Sequence, residues 1–358
     1  MVKDKILIVH DYQLKGNEGG PRGYYYKCLL DNLPPNVTSV QDEIRKLDNI
    51  SLLKKIHLRF DALNIRRYRN KYLANKYIKI PRFKFLYFHD MYSYADVKHL
   101  INKEQIVIFQ CHSPELPSSE EAALGAKQRH LDYIKNLENE IFSRAKILVL
   151  PNKECLPIYD SVISDKHRIH YLTTGIKPIQ SKLQYPIQQE NYVNILYVGR
   201  RNEIKGFDVL LNGFKKAVME RKDIRLFVIG GGETIMSENI YDLGFSSNVY
   251  SWIKSVDFVI SPNRKSYFDL NVIEAIALGT PVIMTTTEGH CYFENRNGII
   301  SFELNNLKEV LTNETLINKE YKIKNQANLK NWYAMDLSNK AYQDALSLVA
   351  NNIINCQY

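Results

Sequence analysis

The chain has 358 residues, a formal net charge of +9, and 45% hydrophobic against 24% charged residues. This length suits two domains of ordinary size, and this composition is that of a globular protein. No run of 18 apolar residues without charges occurs, so the sequence predicts no membrane-spanning helix. The five cysteines are scattered without CxxC spacing, which favours reduced thiols in a cytoplasm over a zinc site or a disulfide framework.

The first predicted unit is a strand over Lys5–His10, which begins without the layout of a signal peptide. A glycine-rich loop with Gly19 and Gly20 follows, and then a helix from about Tyr24 to Leu30. Because glycine lets a backbone approach a ligand closely, such a strand–loop–helix unit can hold a phosphate or a sugar. The loop is neither a Walker loop nor a GxGxxG fingerprint, so a plain glycine-rich turn is the alternative.

Residues 45–84 form a basic segment with 13 lysines or arginines against two aspartates, so the rest of the chain is slightly acidic. Aromatic residues are interleaved with the basic ones. This combination favours contact with an anionic membrane surface, worth about 1 kcal/mol per basic residue near the lipid. A solvated charged face is the alternative, and nucleic acid is the least favoured partner.

A histidine follows the next clear strand, which is predicted over Ile106–Gln110. His112 comes directly after it and before a proline-containing loop, which places it at the carboxyl edge of a sheet, where ligands bind. We therefore take His112 as a candidate functional residue, with a packing histidine as the alternative. Further on, a capping box at Ser118 and Glu121 predicts one long helix through about Arg144.

Residues 177–193 are polar, rich in glutamine and contain two prolines, which is typical of a linker. A strand over Asn194–Gly199 follows, and then Arg200 and, five residues later, Lys205. Two cations at the end of a buried strand, beside a helix N-terminus, favour binding of a diphosphate. A salt-bridged surface pair is the alternative.

Residues 256–283 read as strand, loop, helix and strand. The helix is predicted over Leu270–Leu278, and Asp269 or Asn271 can cap its start. Its N-terminus points at the carboxyl edge of a parallel sheet, where anions bind. Glu274, about a turn into the helix, suits hydrogen bonds from hydroxyls such as a ribose diol. A sugar nucleotide supplies both the diphosphate and the diol.

This stretch resembles the signature of retaining glycosyltransferases with the GT-B fold, in particular glycosyltransferase family 4. The matching residues are Phe268, Glu274, Ala275, Gly279, Pro281, Val282 and Ile283. Two positions depart: Ser266 stands where the family has a first glutamate, and Asp269 stands where it has a glycine. A second match lies in residues 198–206, where the family reads Val-Gly-Arg, four variable residues and Lys-Gly.

The resemblance implies an α/β protein with two Rossmann-like, doubly wound domains that face each other across a cleft. We expect an acceptor-side domain over residues 1–176, a linker over 177–193 and a donor-binding domain over 194–337. The C-terminal helix, 338–358, is expected to return to the first domain.

The resemblance also implies roles for individual residues. Arg200 and Lys205 would hold the leaving diphosphate, Glu274 would hold the ribose, and His112 would face the donor sugar; His112, Arg200 and Lys205 are thus the predicted catalytic residues. The predicted donor-binding residues are Gly19, Gly20, Gly199, Arg200, Lys205, Gly244, Phe245, Ser266, Asp269, Leu270, Asn271 and Glu274. In this set Gly244 and Phe245 would frame the nucleobase.

The expected activity is transfer of a sugar, with retention, from a UDP-, GDP- or dTDP-sugar to a glycan or lipid-linked glycan, in bacterial surface polysaccharide synthesis. No metal and no other cofactor is expected, and the expected location is the cytoplasm or the inner face of the membrane. Ser266 leaves three interpretations open: a donor with fewer hydroxyls, such as a deoxysugar, a substitute carboxylate (Asp269 or Glu115), or loss of transfer. The alternative from another class is a non-catalytic nucleotide-sugar or glycan-binding subunit of a synthase complex.

Overall fold

The structure, a computed structural model, describes residues 3–10, 23–29, 33–45, 80–181 and 191–356. The chain divides into two compact units. The first unit comprises Met1–Thr173 together with Gln343–Tyr358, and the second comprises Thr174–Tyr342. The paired glycines Gly19 and Gly20, and residues 46–79 of the basic segment, lie outside the described residues, so the hypotheses built on them stay predictions.

The first unit is built on a six-stranded sheet in which all neighbouring strands are parallel. Its strands are β1 (Lys3–Val9), β2 (Val37–Ser39), β3 (Phe83–Phe88), β4 (Ile106–Phe109), β5 (Ala145–Leu150) and β6 (Arg168–Tyr171). Their order across the sheet is β2-β1-β3-β4-β5-β6. The order reverses between β1 and β3, and such a reversal is where open α/β sheets bind ligands, outside the carboxyl ends of the strands.

The described residues of the first unit form four helices that precede the second unit in the chain. They are α1 (Val40–Arg45), α2 (Met91–Val97), α3 (Pro117–Ala123) and α4 (Gln128–Arg144). The prediction of one long helix from Ser118 is wrong. Gly125, in a left-handed conformation with φ +76°, separates α3 from α4. Ser118 does not cap a helix; its amide and hydroxyl donate to the Glu138 carboxylate of α4 at 2.8 and 2.9 Å.

The second unit has its own parallel six-stranded sheet. Its strands are β7 (Val193–Val198), β8 (Ile224–Ile229), β9 (Ile240–Gly244), β10 (Phe258–Ser261), β11 (Val282–Thr285) and β12 (Ile299–Phe302). The order is β12-β11-β10-β7-β8-β9. Numbered within the unit, this is the 3-2-1-4-5-6 order of a Rossmann sheet, with the reversal between β7 and β10.

The remaining helices are α5 (Phe207–Glu220), α6 (Val249–Ser255), α7 (Leu270–Leu278), α8 (Leu307–Thr312), α9 (Lys319–Trp332) and α10 (Asn339–Asn355). The bounds predicted for α7 are confirmed, including Gly279 at its C-terminus with φ +74°. On α5, apolar residues recur every three or four positions, so one face of the helix packs on the sheet. Leu210 and Phe214 on this face are fully buried in the same core as Phe258 and Ile260 of β10.

Seven short helical turns complete the described part of the chain: Tyr25–Leu29, Ile80–Arg82, Lys98–Leu100, Lys153–Tyr159, Glu288–Phe293, Leu304–Asn306 and Tyr333–Leu337. Among the described residues, no helix combines the length and the apolar character needed to cross a bilayer.

Candidate functional site

The candidate site of the second unit lies at its strand-order reversal, on the loops that leave β7 and β10. Residues 199–206 follow β7, and residues 262–269 follow β10. The two loops are in backbone contact at Gly206, where a Cβ atom would lie 1.8 Å from the carbonyl oxygen of Pro262. Gly206 also has φ +62°, so both the space and the conformation require glycine. The Arg264 amide donates to the Ile204 carbonyl at 2.9 Å, which further fixes one loop against the other.

The N-terminus of α7 opens onto these loops without a side-chain cap. Asp269 is the N-cap residue, but its carboxylate makes no capping hydrogen bond. Asn271 does not cap either; its amide Nδ2 donates to the Val198 carbonyl at 3.0 Å and so ties α7 to the end of β7. The predicted N-cap position is confirmed for Asp269 and wrong for Asn271, and neither side chain makes a capping hydrogen bond. An uncapped helix start leaves backbone N–H groups to be satisfied by water or by an anionic ligand.

The Asp269 carboxylate instead joins a cluster of polar side chains. Lys205 Nζ lies 2.7 Å from Oδ1, Asn263 Nδ2 donates to Oδ2, and His290 Nε2 lies 3.1 Å from Oδ2. Burial raises the pKa of Asp269, but the charge of Lys205 and the contact with His290 outweigh it, and the net shift is well below the usual range. Asp269 is thus a carboxylate held ionised beside the helix start.

Lys205 is fixed by the same geometry. Its backbone amide donates to Asn202 Oδ1 at 3.0 Å, and its side chain is 20% exposed. The ion pair with Asp269 is the alternative that the sequence left open for this lysine. Lys205 is nevertheless partly open to solvent and stands beside an uncapped helix N-terminus, so its ammonium group can share its hydrogen bonds with an anion.

The two neighbouring arginines have different roles. Arg200 is exposed at the start of the loop. Arg201 is buried and makes a two-bond ion pair with Asp242 of β9, with Nη1 2.8 Å from Oδ2 and Nη2 donating to Oδ1. The hydrogen bonds from Arg201 lower the pKa of Asp242 to about 2. Sequence reasoning missed this pair, which anchors the loop after β7 to β9.

Asp242 also orders the turn after β9. Its Oδ1 accepts from the Gly244 amide at 3.0 Å, and Gly244 adopts φ +60°. Phe245 then projects a ring that is 85% exposed. Tyr250, on the following helix α6, reaches the buried Glu274 with its hydroxyl 3.3 Å from Oε1. An exposed aromatic ring suits stacking on a base, which is the role expected for this turn.

Ser266 is fully buried, so its hydroxyl does not face solvent. Its hydroxyl donates to the Thr287 carbonyl and accepts from the His290 amide at 3.2 Å. Its own amide donates to Glu288 Oε2 at 2.9 Å. Ser266 therefore holds the loop that follows β11, and this loop brings Glu288 and His290 to the site. Sequence reasoning missed both, although His290 follows a buried strand just as His112 does.

The first unit has a different group of side chains at its own strand-order reversal. His10 follows β1 and His89 follows β3, and both are buried. His89 Nδ1 lies 2.9 Å from His112 Nε2. Burial lowers the pKa of His112 to about 3, and burial together with the neighbouring His112 and His10 lowers the pKa of His89 well below its usual value. Glu115 belongs to this unit, where its amide lies 3.4 Å from Ser113 Oγ.

The predicted residues are thus brought together only in part. Gly199, Arg200, Lys205, Ser266, Asp269, Leu270 and Asn271 occupy the two loops and the helix start at the reversal in the second unit. Gly244 is the last residue of the edge strand β9 and Phe245 follows it, His112 belongs to the first unit, and Gly19 and Gly20 lie outside the described residues. Within the described ranges, no group of three or more His, Cys, Asp or Glu side chains is arranged to hold a metal ion. The roles of all these residues stay predictions.

Residues 192–313 match the family model described as Glycosyl transferases group 1. D-inositol 3-phosphate glycosyltransferase of Segniliparus rotundus is 30% identical over 112 residues, which cover 26% of this chain and 25% of that protein. The first three curated relatives are matched over 29%, 25% and 28% of their own length, so the chain spans less than a third of each.

Solved structures resemble the chain over nearly its whole length. Sucrose-phosphate synthase from Thermosynechococcus elongatus superposes with a TM-score of 0.67 at 14% identity, covering 98% of this chain and 99% of that one. The Anabaena protein Alr3699/HepE in complex with UDP-glucose superposes with a TM-score of 0.62 at 14% identity, covering 97% and 99%. These neighbours are GT-B glycosyltransferases, and the predicted α/β fold class with two Rossmann-like domains is confirmed.

Proposed function

We propose that the protein is a retaining glycosyltransferase that moves a sugar from a nucleotide-sugar donor to a glycan or lipid-linked glycan. The observation that carries this proposal is the uncapped N-terminus of α7 at the strand-order reversal, with Lys205 beside it and Glu274 one turn into the helix. This arrangement supports binding of an anion and of hydroxyl groups next to it. The family match over residues 192–313 covers the same loops and helix.

The chemistry follows from where charge develops. When the bond between sugar and phosphate breaks, negative charge builds up on the leaving diphosphate. Fixed positive groups that already face this position lower the barrier without having to reorganise. The amide groups at the start of α7, the Lys205 ammonium and the exposed Arg200 guanidinium would supply this stabilisation, while Glu274 would accept hydrogen bonds from the ribose. Retention is inferred from the family resemblance, with the acceptor attacking on the face that the phosphate leaves.

Several finer points belong to the same proposal. The donor base would be that of UDP, GDP or dTDP, stacked against Phe245. The acceptor would belong to bacterial surface polysaccharide synthesis, at the cytoplasmic face of the membrane and in contact with it through the basic segment. Metal independence is proposed because Lys205, Arg200 and the helix start supply positive charge. Unchanged transfer after treatment with EDTA would support it, and activity restored only by added Mg²⁺ or Mn²⁺ would contradict it.

A second candidate function is binding of a nucleotide sugar without transfer, as a subunit of a synthase complex. Two observations favour it: Lys205 is already paired with Asp269, and Ser266 carries no carboxylate and is buried. Tight binding of one nucleotide sugar, with neither hydrolysis nor transfer on any acceptor, would select this candidate.

The test compares Lys205→Ala with Lys222→Ala. Lys222 forms an ordinary exposed ion pair with Glu238 at 3.7 Å in the same unit. A thermal-shift screen of UDP-, GDP- and dTDP-sugars first identifies the donor, because a ligand at a hundred times its Kd stabilises by about 2.7 kcal/mol. Donor hydrolysis and transfer are then measured. We expect Lys205→Ala to lower the rate about 10²- to 10³-fold and Lys222→Ala to leave it unchanged. Wild-type turnover in Lys205→Ala would refute the assignment.

A further inference from the structure

Glu288 has a backbone conformation with positive φ that residues other than glycine rarely adopt. It follows β11 as the first residue of the turn Glu288–Phe293, with φ +35°. Strained residues of this kind persist where the surrounding structure requires them, and they cluster at ligand sites. No preference of the glutamate itself explains the conformation, so the question is what its carboxylate does there.

The carboxylate reaches across to the loop that leads into α7. Its Oε2 accepts the hydrogen bond from the Ser266 amide at 2.9 Å, three residues before the N-cap Asp269. Within the described ranges this is the one hydrogen bond that the Glu288 side chain makes, and the residue is half-buried. A carboxylate has about four acceptor positions, so acceptor capacity remains for a ligand.

The other carboxylates nearby are already committed. Asp269 is held by Lys205, Asn263 and His290. Glu274 is buried and is reached by the Tyr250 hydroxyl. Among these described carboxylates, Glu288 is therefore the one that combines partial exposure with unused acceptor positions beside the loop 262–269.

We propose that Glu288 binds hydroxyl groups of the transferred sugar and supplies the carboxylate that Ser266 does not. A negative side chain beside an anion-binding helix start is repelled by the diphosphate, so its ligand must be the uncharged part of the donor. Sugar hydroxyls are hydrogen-bond donors, and a carboxylate is the acceptor that binds them most strongly. This inference rests on the proposed function, because it takes a nucleotide sugar as the ligand of the site.

The test separates sugar binding from nucleotide binding and needs no turnover. For the donor with the largest thermal shift in the panel of UDP-glucose, GDP-mannose and dTDP-rhamnose, the Kd is compared with that of the matching nucleoside diphosphate. Glu288→Gln removes the charge and keeps the shape, while Glu288→Gly relieves the backbone strain and keeps the fold. Glu294→Gln, on an exposed glutamate at the end of the same turn, is the matched control.

We expect Glu288→Gln and Glu288→Gly to weaken nucleotide-sugar binding about 10- to 100-fold, as for loss of a hydrogen bond to a charged group. Nucleoside diphosphate binding should change less than about twofold, and Glu294→Gln should match wild type. The Tm of Glu288→Gln should match that of wild type, because the amide oxygen can still accept the hydrogen bond from the Ser266 amide, whereas Glu288→Gly gains from the positive φ but leaves that amide without its acceptor. Unchanged nucleotide-sugar binding in both variants would reduce Glu288 to a structural contact and overturn the proposal.

Failure of the proposed function would look different. If wild type binds nucleotide sugars but neither hydrolyses nor transfers them, glycosyl transfer is refuted, while a loss of sugar binding in Glu288→Gln would still support the role of Glu288. If wild type binds the sugar nucleotide no more tightly than the nucleoside diphosphate, the sugar contact itself is absent and the role of Glu288 is refuted.

Discussion

Both units are built on a parallel six-stranded sheet whose strand order reverses once, but the side chains at the two reversals differ in charge. In the second unit the loops carry charged groups: Lys205 with Asp269, and Arg201 with Asp242. In the first unit the corresponding positions carry His10 and His89, with His112 beside them. The topology therefore fixes where a ligand can bind, and the side chains decide which chemistry the place supports.

Among the described residues at this edge of the first unit, burial favours the neutral forms of His89 and His112 by lowering the pKa of each. The ring centroids of Tyr24 and His112 are 4.4 Å apart, and those of Tyr87 and His89 are 4.2 Å apart. The Tyr87 hydroxyl donates to Gln110 Oε1 at 2.5 Å. Neutral imidazoles beside aromatic rings suit a ligand with hydroxyl groups, whereas the charged edge of the second unit suits a phosphate.

The largest effect on stability is expected from removing the ion pair between Arg201 and Asp242. Arg201→Ala leaves Asp242 buried without its partner, and losing one partner of a buried pair costs about 3–5 kcal/mol. Arg200→Ala, one residue earlier and exposed, should change stability by no more than about 0.5 kcal/mol. Both tryptophans, Trp252 and Trp332, belong to the second unit, so urea unfolding followed by tryptophan fluorescence measures this unit directly. Equal stability of the two variants would contradict the assignment of separate roles.

A difference in acid sensitivity should sharpen the contrast between the two edges. The folded His112 has a pKa of about 3, while an unfolded histidine has a pKa of about 6.5. Below about pH 6.5 the unfolded chain therefore binds a proton that the folded chain does not, and stability falls as the pH drops toward 3. The free energy of unfolding should fall by up to about 1.4 kcal/mol for each pH unit in this range, and it should fall less steeply in His112→Asn.

Circular dichroism and tryptophan fluorescence, read on the same urea series between pH 4.5 and 7, separate the two units. Asp242, with a pKa lowered to about 2, contributes stability that is present above its usual pKa near 4 and is lost below it. This carboxylate should therefore add no pH dependence to the fluorescence transition between pH 4.5 and 7. His130→Asn, at an exposed histidine, is the control and should keep the wild-type slope. If the free energy of unfolding depends on pH as steeply in His112→Asn as in wild type, the assignment of His112 as a buried neutral histidine is refuted.

The smallest effect is expected at the link between Tyr250 and Glu274. Tyr250→Phe removes one hydroxyl, 3.3 Å from the carboxylate, without changing the ring. Because 3.3 Å is long for an O–H···O hydrogen bond, we expect it to contribute no more than an ordinary hydrogen bond, about 0.5–1.5 kcal/mol. The affinity for the sugar-nucleotide donor should therefore fall about 2- to 12-fold by isothermal titration. Tyr241→Phe, on the half-exposed face of β9, should leave affinity unchanged. A Tyr250→Phe variant that binds as wild type would show that the hydroxyl does not position Glu274 for the ligand.

Local patterns made much of the fold predictable. The bounds of α7 follow from apolar spacing and a terminal glycine, both of which act within a few residues. The predicted strand Asn194–Gly199 differs from β7 by one residue at each end, because buried parallel strands are recognisable as short apolar runs. The break between α3 and α4 was missed, because the Ser118 and Glu121 spacing suggested a cap while Gly125 set the backbone.

The contacts within the candidate site were not predictable in the same way. Arg201 and Asp242 are 41 residues apart, and Ser266 and Glu288 are 22 apart, so the fold and not the local sequence brings them together. The partners of Asp269 likewise come from three separate loops. The motif identified the loops, but it could not show that Lys205 faces a carboxylate or that a second glutamate approaches the serine.

The two ends of the second unit are joined to each other by backbone hydrogen bonds. The Ile176 amide donates to the Leu337 carbonyl at 2.9 Å, and the Asn339 amide donates to the Ile176 carbonyl at 2.7 Å. By contrast, the first unit takes its last residues from beyond this point, and the Asn36 amide Nδ2 donates to the Ser347 carbonyl at 3.2 Å. In order of synthesis, the later unit can therefore close before the earlier one is complete. A chain released after residue 342 would contain the whole second unit, while the first unit would still lack Gln343–Tyr358.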